Sequence, residues 1–187
     1  MDDGLKYWGK ARPQSVVPCH PAAYHCLDVA ACSYVLLERL PLLRRRLSIL
    51  IDIDDPVPFL SALIALHDIG KFSRAFQAHV PALWGAELGD IADAPADPGH
   101  GGAGLWLWRD RLHHVFLDGL RLMPLARAVF GHHGTPIAED SPPPQLRALY
   151  GRHGLARAEE FADNVVPLIC PGKTTLVPML IWPEPRS

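Results

Sequence analysis

The stretch Ala65-Leu66-His67-Asp68-Ile69-Gly70-Lys71 sets an imidazole and a carboxylate side by side at the end of an apolar segment. A buried charge is costly unless it is paired or bound to a metal. Adjacent helical residues diverge by about 100°, yet both can contact one metal cluster if the aspartate bridges two ions. Lys71 follows His67 by about one helical turn, so its ammonium would lie near a phosphate drawn to such ions. The same stretch would also fit a solvated helix end.

Helical periodicity extends upstream from this stretch. One helix is predicted to start after Asp54 and Asp55 and to be apolar enough for a central position. An earlier helix is predicted from Pro21, and Pro41 should end or kink it. The apolar face predicted for this earlier helix consists of Tyr24, Leu27, Ala31, Val35 and Leu36.

Downstream, residues 81–102 are rich in Pro, Gly, Ala and Asp and predict a loop. Neither an alternating strand pattern of any length nor an internal repeat is present, so the predicted fold class is all-α, a helical bundle with its site between facing helices. We expect an irregular entry at 1–20, one domain at 21–166 and a tail at 167–187. Helical segments are predicted from the glycine-rich turn at 99–104 through Val115, at 120–130, and more weakly at 146–149 and 156–166.

Composition narrows the class of protein. The chain has 187 residues, 49% hydrophobic and 20% charged, as expected for one globular domain with a packed core. Its formal net charge of -2 creates no global basic field for nucleic acid. Its cysteines form no Cys-x-x-Cys pair, and the sequence shows neither a signal segment nor an apolar run of membrane-spanning length. We therefore expect a cytoplasmic protein without a membrane partner.

Other histidines could join His67 and Asp68 in a metal site. His132 and His133 lie between two glycines after an apolar segment, where the backbone is open enough for metal binding. His100 opens a glycine-rich turn, and His25 lies on the first predicted helix. Each also has an ordinary interpretation as a surface or core residue, which we assign to the pair His113-His114. Imidazoles combined with a carboxylate favour manganese, iron, cobalt, nickel or zinc over calcium.

These residues, in this order, resemble the HD phosphohydrolase superfamily. The narrower resemblance is to the HD nuclease domain of the type I CRISPR-associated helicase-nucleases, and it runs from about residue 7 to residue 166. It rests on four motifs: Tyr7-Trp8-Gly9-Lys10, His25-Cys26-Leu27-Asp28-Val29-Ala30, His67-Asp68-Ile69-Gly70-Lys71-Phe72 and Gly131-His132-His133-Gly134.

The resemblance implies an all-helical HD domain that cleaves single-stranded DNA with up to two divalent ions of manganese, cobalt, nickel or iron. It implies that His25 and His67 hold one ion, that Asp68 bridges and that Lys71 neutralises charge on the phosphate. The second ion would be held by His100, His132 and His133. The implied partners are single-stranded DNA, a helicase domain or separate helicase chain, and a CRISPR effector complex.

The sequence departs from the family near its end, where a late aspartate followed by Trp is expected as a further metal ligand. Asp163 is a possible substitute without that Trp, and we interpret it as a surface helix residue. The chain is therefore expected to be truncated before that ligand. The segment 169–175 only superficially suggests a phosphate-binding loop, because Pro167 stands where that motif needs glycine.

Two other functions remain open at this stage. One is an HD phosphohydrolase acting on nucleotides or cyclic nucleotides, which a closed pocket would favour. The other is an inactive, truncated docking module, which an empty or single-metal site in the purified protein would favour. If the site is a metal centre, His67, Asp68, His132 and His133 must converge to coordination distance in the folded chain.

Overall fold

The computed structural model describes residues 3–117, 119–134, 137 and 145–172. Most of the segment 131–144, which its prolines predict to be a loop, and the tail beyond 172, including Lys173 to Thr175, lie outside these ranges. The division at residues 20 and 166 stays a prediction. The helices are α1 (Ala22–Arg39), α2 (Pro41–Ile51), α3 (Pro56–Ile64), α4 (Arg74–Gln77), α5 (His100–Leu107), α6 (Met123–Phe130) and α7 (Leu146–Ile169).

Helix α3 is central, as the sequence predicts. Asp55 caps it, its carboxylate accepting a hydrogen bond from the Val57 amide at 3.2 Å, and Pro56 occupies the first turn. Nearly every side chain of α3 is buried, and the helix packs against both α1 and α7. The all-α architecture is thus confirmed.

Helix α1 turns a different face to the core from the one predicted. Its buried residues are mainly small, namely Ala22, Cys26, Ala30 and Leu37, and small side chains let the α3 backbone approach closely. Val35 and Leu36 are more than half exposed, and Tyr24 is also exposed. The prediction was wrong because periodicity identifies an apolar face without showing which face a neighbouring helix covers.

Pro41 ends α1 as expected, but it also begins α2, which was not predicted. Downstream, α5 continues through a π-helical turn at Trp108–Leu112 and a 3₁₀ turn at His113–Val115. Helix α7 has a break at Gly151, whose φ is 69°, and this break separates the two helical segments predicted there.

A small β-hairpin precedes α1, and it was not predicted because its strands are too short to show alternation. Strand β1 (Trp8–Ala11) pairs antiparallel with β2 (Cys19–Pro21), with Lys10 opposite His20. The register is irregular between Trp8 and Lys10, so Gly9 is the extra residue of a bulge. The buried side chain of Gln77 holds this hairpin, accepting from the Trp8 amide at 3.2 Å and donating to the Trp8 carbonyl at 2.9 Å.

The turn after α3 carries His67 and Asp68 and continues into a 3₁₀ turn at Ile69–Phe72. A Cβ atom on Gly70 would lie 1.8 Å from the carbonyl oxygen of His100. Only glycine therefore lets the start of α5 pack against this turn. None of the helices in the described ranges combines the length and apolar character that a membrane span needs.

We predict that Gly70→Ala lowers the free energy of unfolding by about 1–3 kcal/mol, because the added methyl group must displace backbone rather than a flexible side chain. The measurement is urea denaturation followed by circular dichroism. Gly102→Ala, on the neighbouring helix, is the control: its nearest neighbour would be the Trp106 ring at 3.9 Å. That substitution should be neutral or stabilising by up to about 1 kcal/mol. Equal stability of the two variants would contradict this account of Gly70.

Candidate metal centre

Four separate segments bring their polar side chains to one point. Helix α1 supplies His25, the turn after α3 supplies His67 and Asp68, and α5 begins with His100. The turn after α6 supplies His132 and His133. All six residues predicted as metal ligands therefore lie together, although more than one hundred positions separate the first from the last.

Asp68 lies at the centre of this cluster and is 1% exposed. Its Oδ2 atom is 2.9 Å from Nε2 of His25 and 3.1 Å from Nε2 of His67. Its Oδ1 atom is 3.1 Å from Nε2 of His100 and 3.5 Å from Nε2 of His132. Each oxygen of one carboxylate thus faces a different pair of imidazoles.

The cluster separates into two groups of candidate ligands, and within each group the ligand atoms lie within 4.8 Å of one another. His25, His67 and Asp68 form the first group. His100, His132 and His133 form the second, with the Nε2 atoms of His100 and His133 3.0 Å apart. Asp68 Oδ1 lies beside the second group, so this carboxylate can contribute to both.

The donor atoms fit divalent transition ions. Nδ1–H of His67 donates to the Ile64 carbonyl at 3.0 Å, and Nδ1–H of His132 donates to the Val129 carbonyl at 3.1 Å. These bonds fix the tautomers that leave the Nε2 lone pairs directed at the cluster. Asp68 Oδ1 is a buried oxygen without a hydrogen-bond partner among the described residues. A cation at this position would satisfy that oxygen, and the mixed nitrogen and oxygen set suits manganese, iron, cobalt or nickel.

The protonation states of these side chains also favour metal binding. Burial lowers the pKa of His25 to about 4 despite the opposing charge of Asp68, and burial also lowers the pKa of His132. Burial by itself would raise the pKa of Asp68, but the imidazoles of His100 and His67 and the charge of Lys71 hold it well below its usual range. At neutral pH the cluster therefore offers the ionised carboxylate of Asp68 and the lone pairs of His25 and His132.

Lys71 lies behind the carboxylate rather than in front of it. Its ammonium is 2.6 Å from Asp68 Oδ2 and donates to the Gly9 carbonyl at 3.1 Å, and the residue is 3% exposed. These contacts connect the His-Asp turn to the bulge of the β-hairpin. They also direct the charge of Lys71 toward the protein interior.

A different lysine faces the open side of the site. A cavity of about 500 Å³, open to solvent, is lined by Lys10 together with His25, His67, Asp68, His132 and His133. Lys10 belongs to the Tyr7-Trp8-Gly9-Lys10 motif, but no role was predicted for it. The sequence signal for Lys10 was a cation directly after Gly9. The position of this lysine at the site depends on the packing of the hairpin against α1.

Asp163, the possible substitute ligand considered from the sequence, lies elsewhere. Asp163 is exposed, and its carboxylate accepts from Nε2 of His114 at 2.9 Å, away from both groups of candidate ligands. This position agrees with its interpretation as a surface residue. Cys26 is buried on α1, and burial raises the pKa of its thiol to about 12, which disfavours the thiolate needed for metal binding.

The fold and this cluster together define a helical HD domain, a class named for its adjacent histidine and aspartate. More narrowly, the family model described as "Cas3, HD domain" matches residues 8–171, and the chain belongs to this family.

Individual relatives agree with the family. The chain is 30% identical over 153 residues to the CRISPR-associated endonuclease/helicase Cas3 of Escherichia coli (strain K12), covering 68% of this chain and 17% of that protein. A crystal structure of a CRISPR-associated protein superposes with a TM-score of 0.75 at 24% identity, covering 93% and 20% of the two chains. The T. fusca Cas3 crystal structure has a TM-score of 0.70 at 21% identity, covering 92% and 20%. The chain thus spans about a fifth of the length of these relatives.

We predict that the purified chain binds one divalent ion more tightly than a second. Asp68 and three histidines offer four ligands to one ion, whereas His25, His67 and Asp68 offer three to the other. The measurement is calorimetric titration with Mn²⁺, Co²⁺ or Ni²⁺. His132→Ala should weaken the tighter site by roughly 10- to 100-fold or more, the range already seen when outer-shell partners of metal ligands are lost.

His114→Ala is the matched control, because this imidazole pairs with Asp163 at the surface. It should leave both binding constants unchanged. Two equally tight sites in the parent chain would show that a further residue completes the three-ligand group.

Proposed function

We propose that this chain is a metal-dependent nuclease that hydrolyses phosphodiester bonds of single-stranded DNA in CRISPR antiviral defence. One observation carries the proposal: the buried Asp68 carboxylate presents each oxygen to a separate pair of imidazoles. That arrangement fits a carboxylate bridging two ions, and paired ions are a recurring device for phosphodiester hydrolysis.

In this proposal each of the two ligand groups binds one ion. His25, His67 and Asp68 would hold one ion, and His100, His132, His133 and Asp68 would hold the other, with manganese, cobalt, nickel or iron as the ions. Divalent ions bound there supply positive charge at the phosphodiester and activate a water molecule for attack. The carbonyls of Ile64 and Val129 keep the His67 and His132 imidazoles in the ligating tautomer.

Lys71 takes a positioning role in this proposal instead of the phosphate contact expected from the sequence. Its ammonium fixes Asp68 Oδ2 and keeps the carboxylate ionised. In its buried position it has no open path to a substrate phosphate. Asp68 remains the catalytic residue, since it reaches the proposed ions directly.

The shape of the site favours a polymer over a single nucleotide. The cavity above the cluster is open to solvent, and His132 and His133 lie at an exposed turn. A nucleotide hydrolase would be expected to enclose its substrate more completely. An extended strand could instead cross the open side and present one phosphodiester to the cluster.

Partners follow from the relatives rather than from the chain itself. The Escherichia coli relative is named as an endonuclease/helicase. A further structural neighbour is a CRISPR RNA-guided surveillance complex before nicking, with a TM-score of 0.69 at 23% identity. That match covers 94% of this chain and 22% of the other chain. We propose that this chain works beside a helicase, in the same or a separate polypeptide, and with such an effector complex. The cytoplasmic location expected from the sequence belongs to the same proposal.

We predict that Asp68→Ala abolishes Mn²⁺-dependent cleavage of a single-stranded oligonucleotide, because loss of a shared ligand disrupts both proposed ions. Cleavage is followed on a denaturing gel, beside a duplex of the same sequence and a cyclic dinucleotide. The parent chain should cleave the single strand preferentially.

Asp163→Ala provides the matched control, since it removes an aspartate that pairs with His114 at the surface. It should change the cleavage rate by less than about twofold, as expected for a surface substitution. Equal loss in the two variants would mean that Asp163 completes the site. Hydrolysis of the cyclic dinucleotide alone would indicate a nucleotide hydrolase instead of a nuclease. A parent chain that binds no metal would indicate a docking module.

A further inference from the structure

The β-hairpin beside the metal centre carries a second cavity that the cleavage chemistry does not use. Its volume is about 390 Å³, and its lining residues are Lys10, Arg12, Ser15, Val17, Cys19 and His20. Two of these carry a full positive charge, and none is acidic. Lys10 lines this cavity and also the one above the ligand cluster, so the two are adjacent and share a cationic side chain.

The bulge at Gly9 sets this arrangement. A Cβ atom on Gly9 would lie 2.8 Å from the Cα of Ala22, so glycine lets β1 pack tightly against the start of α1. The carbonyl of Gly9 is fixed by Lys71, and the next residue, Lys10, stands opposite His20 across the hairpin. Bulges often redirect a side chain beside an active site, and here Lys10, directly after the bulge, lines both cavities.

Aromatic rings follow the same path. The His20 ring lies 6.3 Å from the ring of Tyr24 and 6.4 Å from the ring of His25, a proposed metal ligand. Asp28 orients His20, its carboxylate accepting from Nε2 at 2.8 Å. Tyr24 is 47% exposed, so its ring is accessible to a stacking partner. A row of rings thus leads from the hairpin to the ligand cluster.

Cations that follow a backbone, combined with exposed rings on which bases stack, are the two features by which proteins bind single-stranded nucleic acid. We infer that the hairpin and the first turn of α1 form a single-strand-binding track, in which Lys10 and Arg12 contact phosphates while Tyr24 and His20 stack on bases. This inference rests on the proposed nuclease function and names the residues that bring a strand to the cluster. It also explains how a chain with a net charge of -2 binds DNA through a local patch.

The test measures binding without cleavage. A fluorescein-labelled oligo(dT) strand is titrated with the full chain in EDTA at low salt, and anisotropy gives Kd over a series of salt concentrations. Arg12→Ala should weaken binding and lower the slope of log K against log salt by about 0.7, the value for one phosphate contact on a single strand. Tyr24→Ala should weaken binding by about tenfold with an unchanged slope, and Tyr24→Phe should restore it, because phenylalanine still stacks.

Matched controls come from the far end of α1 and from α2. Tyr34 is also an exposed tyrosine of α1, and Arg45 is an exposed arginine of α2. Tyr34→Ala and Arg45→Ala should each leave Kd within about twofold of the parent value. All four altered side chains are exposed, and circular dichroism checks that each variant keeps its helical content.

Three outcomes would overturn the track. The first is that Arg12→Ala and Tyr24→Ala bind like the controls. The second is that the parent chain binds no oligonucleotide at low salt, and the third is that the parent binds duplex and single strand with equal affinity. A parallel Mn²⁺ cleavage assay separates this inference from the proposed function. If the parent cleaves but Arg12→Ala and Tyr24→Ala bind like the controls, only the track fails. If the parent binds through Arg12 and Tyr24 but cleaves no strand, the track stands and the nuclease proposal fails.

Discussion

Burial of the Asp68 carboxylate is the constraint on which the rest of the structure depends. An ionised carboxylate removed from water carries a penalty of roughly several kcal/mol, and neighbouring charges or metal must offset it. Lys71 provides one offset at 2.6 Å, and the surrounding imidazoles lie close enough to share a cation with either oxygen. Each element that supplies one of these groups must therefore be held in register with the turn after α3.

Two glycines make this register possible. Gly70 lets the start of α5 touch the His-Asp turn, which brings His100 to the carboxylate, and Gly9 lets β1 approach α1. Lys71 joins the two regions, because its ammonium contacts both Asp68 and the Gly9 carbonyl. The hairpin is consequently part of the architecture of the site, and its irregular register is what places Lys10 at the open side.

Membership in the Cas3 HD domain family places this chain beside much longer proteins, of which it spans about a fifth. Helices α1 and α2 display exposed apolar side chains, among them Val35, Leu36, Leu42 and Ile49. An apolar surface of this kind is compatible with a larger assembly. The boundaries at residues 20 and 166 remain predictions, and the late aspartate of the family has no counterpart in the ligand groups of the described residues.

The sequence by itself determined the helical class, the start of α3 at Asp55, the break within α7 and the six side chains that meet at the site. The helical features depend on local periodicity and capping, and the six side chains were identified by their combination and by the four motifs that resemble one family. Only the tertiary structure decided which face of α1 is buried, that Lys71 points inward while Lys10 faces the cleft, and that Asp163 pairs with His114. The physical reason is that these outcomes depend on the approach of segments distant in sequence, and helical spacing holds no information about which neighbour will cover a face.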